Sequence, residues 1–190
     1  MIIIDLHDKI TLNEGEKMEI YIPDIYQENI FKIDYEALKS RGIKCLIYDL
    51  DNTIIPIYER LPKDETKDLF ESLKTRGFNI YIASNSISAR VKPVAETLKV
   101  NFISSAEKPD IEKVNEIVES SKYGLDEIAI IGDSMMDDVL CGNTIGITTV
   151  LIDQLDKKEF PTAYIKRIKE RKIQKKLRDN DLFVKGRYYV

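Results

Sequence analysis

The sequence of 190 residues predicts an α/β fold, a parallel sheet of about five strands with helices on both faces, plus a small N-terminal extension. Three observations predict it. From Lys44 onward, short apolar runs alternate with amphipathic stretches. The apolar runs are continuous instead of alternating with polar residues, as strands buried on both faces require. None of them approaches the ~18 residues that a membrane-spanning helix needs.

Each element has its own signal. In the first 43 residues, "MIIIDL" and "KMEIYIP" read as two strands around "NEG", with Met18, Ile20 and Ile22 at period two. "IDYEALKSRG" reads as a short helix with Asp34 as its N-cap and Gly42 as its stop. This segment, 1–43, is expected to pack on the core without forming a second domain. The core, 44–156, begins with the strand "KCLIY". "ETKDLFESLKTRG" follows as a helix with Leu69, Phe70 and Leu73 on one face and Gly77 ending it. Next come the strand "FNIYIA" and the helix "SARVKPVAETLK", which Pro93 is expected to kink or break. "VNFIS" is a strand, and "DIEKVNEIVESSKYG" a helix with Ile111, Val114, Ile117 and Val118 on one face. "EIAIIG" is a strand, a short helix runs through "MDDVLCG", and "ITTVLI" is the fifth core strand. Residues 157–190 form a basic helical segment.

Composition excludes several chemistries. The one histidine, His7, stands far from any other reactive cluster, which rules out a His-based triad or a His-rich zinc site. Cys45 and Cys141 fall in apolar surroundings and form no Cys-x-x-Cys, so both are expected to be buried free thiols. Chemistry must therefore rest on carboxylates, hydroxyls and lysines. The start, "MIIIDLHDK", carries acids where a signal peptide carries basic residues, and the protein is expected to be cytoplasmic. The net charge is −4, yet 157–190 holds 12 Lys/Arg against 4 Asp/Glu. An acidic body with a basic end suggests one face that meets an anionic partner.

Polar residues concentrate where the strands end. The first core strand runs into Asp49 and Asp51, two like charges that raise each other's pKa unless a cation lies between them. The second runs into Ser84 and Asn85, the third is followed by Lys108, and the fourth runs into "GDSMMDD", with Asp133, Asp137 and Asp138. Each pattern alone is ordinary turn or capping chemistry. Their occurrence at four successive strand ends is not, because ligands of open parallel sheets bind at that edge.

This order resembles the haloacid dehalogenase (HAD) phosphohydrolase superfamily, whose signature is DxDx[TV], then Ser/Thr, then Lys, then Gly-Asp and a further acid. "DLDNT", "IASN", "EKP" and "IIGDSMMDD" match it in turn, over Lys44 to about Ile152. The resemblance implies a HAD-like, Rossmann-like fold and a Mg²⁺-dependent phosphatase. It makes Asp49 the nucleophile and a metal ligand, and Asp51 the general acid and base with its backbone carbonyl on the metal. It makes Asp133 a metal ligand and has Ser84, Asn85 and Lys108 hold the substrate phosphate. Asp138, or else Asp137, supports the metal ligands without touching the ion.

Asp51 and Ser84 are 33 residues apart, and Ser84 and Lys108 are 24 apart, which leaves no room for an inserted cap domain. A site without a lid suits a large substrate that covers it. The finer resemblance is to the capless class IIIA subfamily, the YqeG-like proteins and mitochondrial-type phosphatidylglycerophosphate phosphatases. It rests on "IDYEALKSRGIKCLIYDLDNTIIP", "EKP", "GDSMMDDVLCGN" and "KGRYY". Two positions depart from those relatives: Ser86 stands where they often have a second Asn, and "DIEKV" follows Lys-Pro where they tend to have Gly and Arg. The resemblance implies phosphatidylglycerophosphate as substrate, with a phosphoprotein, a nucleic acid end or a sugar phosphate as alternatives; a nucleic-acid partner is not favoured. The stretch 164–178 carries Ile165, Ile168, Ile173 and Leu177 loosely on one side among many cations, which suggests either peripheral contact with an anionic membrane or a last helix packed on the sheet. A non-enzymatic receiver domain is the competing class. It would place its phosphorylated Asp on a middle strand and lack a hydrolytic base such as Asp51.

Overall fold

The strand with the strongest apolar run lies at the centre of the sheet, because a strand buried on both faces needs neighbours on both edges. A computed structural model describes residues 16–157, 164–180 and 183–186 of the chain. Its elements are α1 (Glu16–Glu19), β1 (Ile25–Gln27), α2 (Tyr35–Ser40), β2 (Cys45–Tyr48), α3 (Asp64–Thr75), β3 (Asn79–Ala83), α4 (Ser88–Leu98), β4 (Asn101–Ile103), α5 (Glu112–Ser121), β5 (Ile128–Gly132), α6 (Leu140–Ile145), β6 (Thr148–Ile152) and α7 (Tyr164–Asp179). A π-helical turn, Met135–Val139, leads into α6. All strand pairs are parallel, in the order β1-β6-β5-β2-β3-β4.

Alternation along β2 divides the core. Leu46 and Tyr48 face a layer that includes Leu38 of α2, Phe70 and Leu73 of α3, and Val91, Val94 and Leu98 of α4. Cys45 and Ile47 face the other side, against Val114 and Ile117 of α5 and Cys141 of α6. The helices therefore cover both faces, as the continuous apolar runs require. Both cysteines are free and buried. No described helix is long and apolar enough to cross a membrane.

One expectation is corrected and three are made definite. The sheet, expected to have about five strands, has six: the sixth is β1, whose Ile25 pairs with Val150 at the outer edge of β6. Three residues are too few to show a period in sequence. The second predicted N-terminal strand is instead the helical turn α1 and the residues after it. Met18, Tyr21 and Ile22 pack there against Met135, Leu151 and Phe183. Spacings of three and four put these side chains together, and a short apolar stretch fits either period. Of the two outcomes expected at Pro93, a kink or a break, the break does not occur, since α4 runs through it. In α7 the apolar stripe divides: Leu177 and Ile173 join the core, while Ile165 and Ile168 remain exposed. The predicted strand "MIIIDL", His7 and the tyrosines of "KGRYY" lie outside the described residues.

The segment before β2 is tied to the centre of the molecule by buried hydroxyls. Tyr48 donates to the Tyr35 hydroxyl at 2.8 Å, and Tyr35 donates to the Ile30 carbonyl at 2.8 Å. Asp34 caps α2 by accepting from the Ala37 N–H, as its position in the sequence predicts.

Tyr35→Phe strands the Tyr48 donor and the Ile30 carbonyl together, so it is expected to cost ~1–3 kcal/mol. Tyr48→Phe leaves the Tyr35–Ile30 bond in place and is expected to cost less; urea unfolding of the two variants measures the difference. Burial pushes the thiols of Cys45 and Cys141 up to about 12, so neither is expected to alkylate with iodoacetamide at neutral pH until the protein is unfolded.

Candidate active site

The strand order reverses at β2, which has β3 on one side and the later β5 on the other, so the loops after these strands diverge and leave a crevice. Asp49 sits at that point. Its N–H bonds the Ile131 carbonyl at 2.8 Å, which continues the β2–β5 ladder by one residue and holds the carboxylate at the strand tip. The chain then folds back sharply. The Leu50 carbonyl accepts from the N–H groups of Thr53, Ile54 and Ile55, and Asn52 takes a left-handed φ of 61°.

Lys108 is the centre of the site. It is 3% exposed, and its ammonium donates to Asp49 Oδ1 at 2.8 Å and to Asp138 Oδ1 at 2.5 Å. Burial alone would lower the Lys108 pKa, but the carboxylates of Asp138 and Asp49 more than reverse this and hold it above its ordinary value. Burial pushes the Asp49 carboxyl well up; Lys108 pulls it down, while Asp138 and Asp133 push it further up. The Lys108 backbone is fixed by Asn85, whose amide oxygen accepts from the Lys108 N–H at 2.7 Å and whose amide nitrogen donates to the Lys108 carbonyl at 2.9 Å. Asn85 thus lines the cleft with its side chain engaged on a neighbouring loop. Ser84 is buried beside it, its hydroxyl accepting from the Ser86 N–H at 3.2 Å.

Asp133 and Asp138 come from the loop after β5. Asp138 accepts from the Ser134 N–H at 3.1 Å and packs directly on Gly132, where an added Cβ would lie 2.0 Å from Asp138 Oδ2. Only glycine leaves room for the carboxylate to turn toward Lys108. Carboxylate oxygens of Asp49, Asp133 and Asp138 all lie within 4.8 Å of one another, and all three residues are buried. A buried cluster of hard oxygen donors fits a divalent cation, whose charge offsets the repulsion among the acids. Between the two candidates for the supporting acid, the structure brings Asp138 into the cluster. Asp137 turns outward to Lys166 at 2.6 Å, its carboxyl raised by burial against the opposing pull of that lysine.

Asp51 is held apart from this cluster. Its Oδ2 accepts from the Ser86 hydroxyl at 2.6 Å, and its Oδ1 from Arg90 Nε at 3.0 Å and Nη2 at 2.7 Å. Arg90 also bonds the carbonyls of Pro56 and Glu59, fastening the loop after β2 to the start of α4. The two acids of the first motif therefore have separate partners and separate directions.

Sequence reasoning missed Arg90, Arg167 and Glu170. The first-turn position of Arg90, just after Ser84, was its one signal. Arg167 pairs with the Asp133 carboxylate, donates to the Asp133 carbonyl at 3.0 Å and to Glu170 Oε2 at 2.7 Å. Glu170, 2% exposed, accepts from the Ser134 hydroxyl at 2.6 Å and the Met136 N–H at 2.9 Å. The basic segment is thus a wall of the site, and one acid among its many cations carried no pattern to mark it. Arg167 and Lys166 close one side of a cleft of about 310 Å³ that opens to solvent.

The model of the haloacid dehalogenase-like hydrolases matches residues 8–146, and the chain belongs to that family. Within it the chain is a phosphatase, a phosphoric monoester hydrolase of HAD type. It is 32% identical over 154 residues to the Bacillus subtilis (strain 168) protein named "Probable phosphatase YqeG", a match that covers 80% of this chain and 90% of that one. It is 24% identical over 152 residues to "Phosphatidylglycerophosphate phosphatase 1, chloroplastic/mitochondrial" of Arabidopsis thaliana, covering 75% of this chain and 44% of that protein. The fold is shared with an uncharacterized protein from Listeria monocytogenes serotype 4b, at a TM-score of 0.50 and 17% identity, over 63% of this chain and 85% of that one.

Glu170→Ala takes the buried acceptor from the Ser134 hydroxyl and the Met136 N–H, while Arg167 keeps the Asp133 carboxylate, and is expected to cost ~1–3 kcal/mol. Arg167→Met strands the buried carboxylates of Asp133 and Glu170 together and is expected to cost more, ~3–5 kcal/mol. Chemical denaturation of the two single variants and the double variant measures the coupling.

Proposed function

We propose that the protein hydrolyses a phosphomonoester with Mg²⁺ through an aspartyl-phosphate on Asp49, and that its substrate is phosphatidylglycerophosphate. The observation that carries the chemistry is the Lys108 ammonium between Asp49 and Asp138, with Asp133 beside them and Asp51 held separately by Arg90. A receiver domain has no use for a second acid held in this way.

The chain's own groups divide the work. Asp49 attacks phosphorus, a P–O bond to its carboxylate forms, and the bond to the leaving oxygen breaks. Asp51 gives that oxygen its proton. It then takes a proton from the water that attacks the aspartyl-phosphate, and the Asp49 carboxylate leaves as phosphate is released. Arg90 and the Ser86 hydroxyl fix the Asp51 carboxylate for both transfers. Ser84 and the main chain of Asn85 bind the phosphoryl oxygens, the Asn85 amide being engaged on the Lys108 backbone, and Lys108 balances charge on Asp49 and on the group being transferred. Asp49, Asp133 and the Asp51 carbonyl, with Asp138 in support, would hold Mg²⁺, which when bound would supply further positive charge for the phosphoryl oxygens.

The lipid reading is supported by the cleft and by a relative. Only turns and α3 lie between β2 and β3, and only α4 lies between β3 and β4, so neither connection carries an inserted lid among the described residues. An exposed phosphate on a large molecule can reach it. The Arabidopsis thaliana relative is named for phosphatidylglycerophosphate.

The test is a panel of p-nitrophenyl phosphate, phosphatidylglycerophosphate in detergent micelles, a phosphopeptide, a sugar phosphate and a 3′-phosphate oligonucleotide, with Mg²⁺ or with chelator. The lipid is expected to turn over fastest, and the chelator to abolish turnover. Asp49→Asn is expected to lower turnover by at least ~10³-fold. Undiminished turnover in that variant rejects Asp49 as nucleophile. Rapid hydrolysis of the other compounds but not the lipid rejects the lipid as substrate.

A further inference from the structure

Large apolar side chains on the surface are ordinary when scattered. Here they are not scattered. Among the described residues, the large apolar side chains more than half exposed are Tyr58, Leu61, Ile87, Tyr164 and Ile165. All five belong to segments that frame the mouth of the catalytic cleft. Tyr58 and Leu61 lie in the loop after β2, next to the lining residue Ile57. Ile87, 67% exposed, follows the lining residue Ser86 after β3. Tyr164 and Ile165, the latter 69% exposed, precede Lys166 and Arg167 in the first turn of α7. The opposite edge of the sheet, where Leu125 leads into β5, has no comparable group among the described residues.

Close sequence neighbours of Tyr58, Ile87 and Ile165 are buried or engaged in the site, while these side chains stay exposed. Ile57 is buried, Ser86 binds Asp51, and Arg167 binds Asp133. The charges of the same face are uneven in a useful way. Arg60, Lys169 and Lys172 are exposed in the same segments. The acids Glu59, Glu107 and Asp137 are paired with Lys63, Lys113 and Lys166. Apolar tips among exposed cations match a surface that is apolar beneath and anionic at its face.

We propose that this ring docks the mouth of the cleft on an anionic lipid surface, with Tyr58, Leu61, Ile87, Tyr164 and Ile165 entering the headgroup region. The inference rests on the lipid reading of the substrate and adds how the substrate is reached. A phosphate monoester at the bilayer surface then faces Asp49 without leaving the bilayer, and the bilayer covers the site as a lid would. The contact is made by the ring and the first turns of α7. The helix does not lie flat along its length, because Ile173 and Leu177 are committed to the core.

The test is co-sedimentation with vesicles of phosphatidylcholine alone or mixed with phosphatidylglycerol, at low and at physiological salt. The variants are Tyr58→Ser/Ile87→Ser/Ile165→Ser and, on the opposite edge, Leu125→Ser. Wild type is expected to bind the mixed vesicles, and more weakly as salt rises. The triple variant is expected to bind at least about tenfold more weakly, with its circular dichroism and its turnover of p-nitrophenyl phosphate unchanged. Leu125→Ser is expected to bind as wild type does. Wild type that stays in the supernatant at low salt overturns the proposal, as does a triple variant that binds equally well. Self-association that the triple variant abolishes, without vesicle binding, assigns the ring to a second copy and also overturns it. Vesicle binding without hydrolysis of the lipid monoester upholds the docking surface and rejects the lipid as substrate. Hydrolysis in detergent micelles without vesicle binding does the reverse.

Discussion

Three carboxylates share one buried corner at the end of the central strands, and such a group is tolerable only where fixed positive charge faces it. Lys108 meets that condition between Asp49 and Asp138, and Arg167 meets it at Asp133. Much of the surrounding structure holds these cations in place. The Asn85 amide spans the Lys108 backbone. Glu170 is buried against Arg167, and the same carboxylate fixes the turn that begins at Ser134. Arg90 forms a second, separate charge centre with Asp51. The site is therefore two electrostatic units side by side, one for the phosphoryl group and one for protons.

The sheet makes this possible by geometry alone. Parallel strands end together at one edge, and the reversal of order at β2 leaves a gap there. The loops at that edge carry unusual backbone. Asn52, Ser105 and Glu107 have φ of 61°, 49° and 60°, a region that side-chain-bearing residues seldom adopt. They flank Asp51 and Lys108, where strain is tolerated because dense hydrogen bonding on either side over-determines the chain. Gly132 belongs to the same economy of space, since any side chain there would displace Asp138.

Legibility in the sequence followed the length and regularity of each signal. The core strands were legible because continuous apolar runs leave little choice of structure, and the capped helix at Asp34 because its ends were chemically marked. α1 and β1 were not, since a few residues satisfy both periods. Asp49, Asp51, Ser84, Lys108 and Asp133 were legible through their order at strand ends. Ser86, noted as a departure from relatives, holds Asp51 through a hydroxyl bond of 2.6 Å. The amphipathic pattern of α7 showed a helix but not which part of its stripe faced inward.

By itself the sequence determined the strand and helix alternation and the gathering of acids at strand ends. Those are local properties, fixed by side-chain period and residue type. Only the tertiary structure decided the partners: Asp138 over Asp137 beside Lys108, Arg90 on Asp51, and Arg167 with Glu170 against the loop after β5. It also decided that the exposed apolar residues gather at one mouth. Each of these joins residues about 30 or more positions apart, or opposing faces of one short turn. No local period encodes such distances; the packing of helices on a twisted parallel sheet sets them.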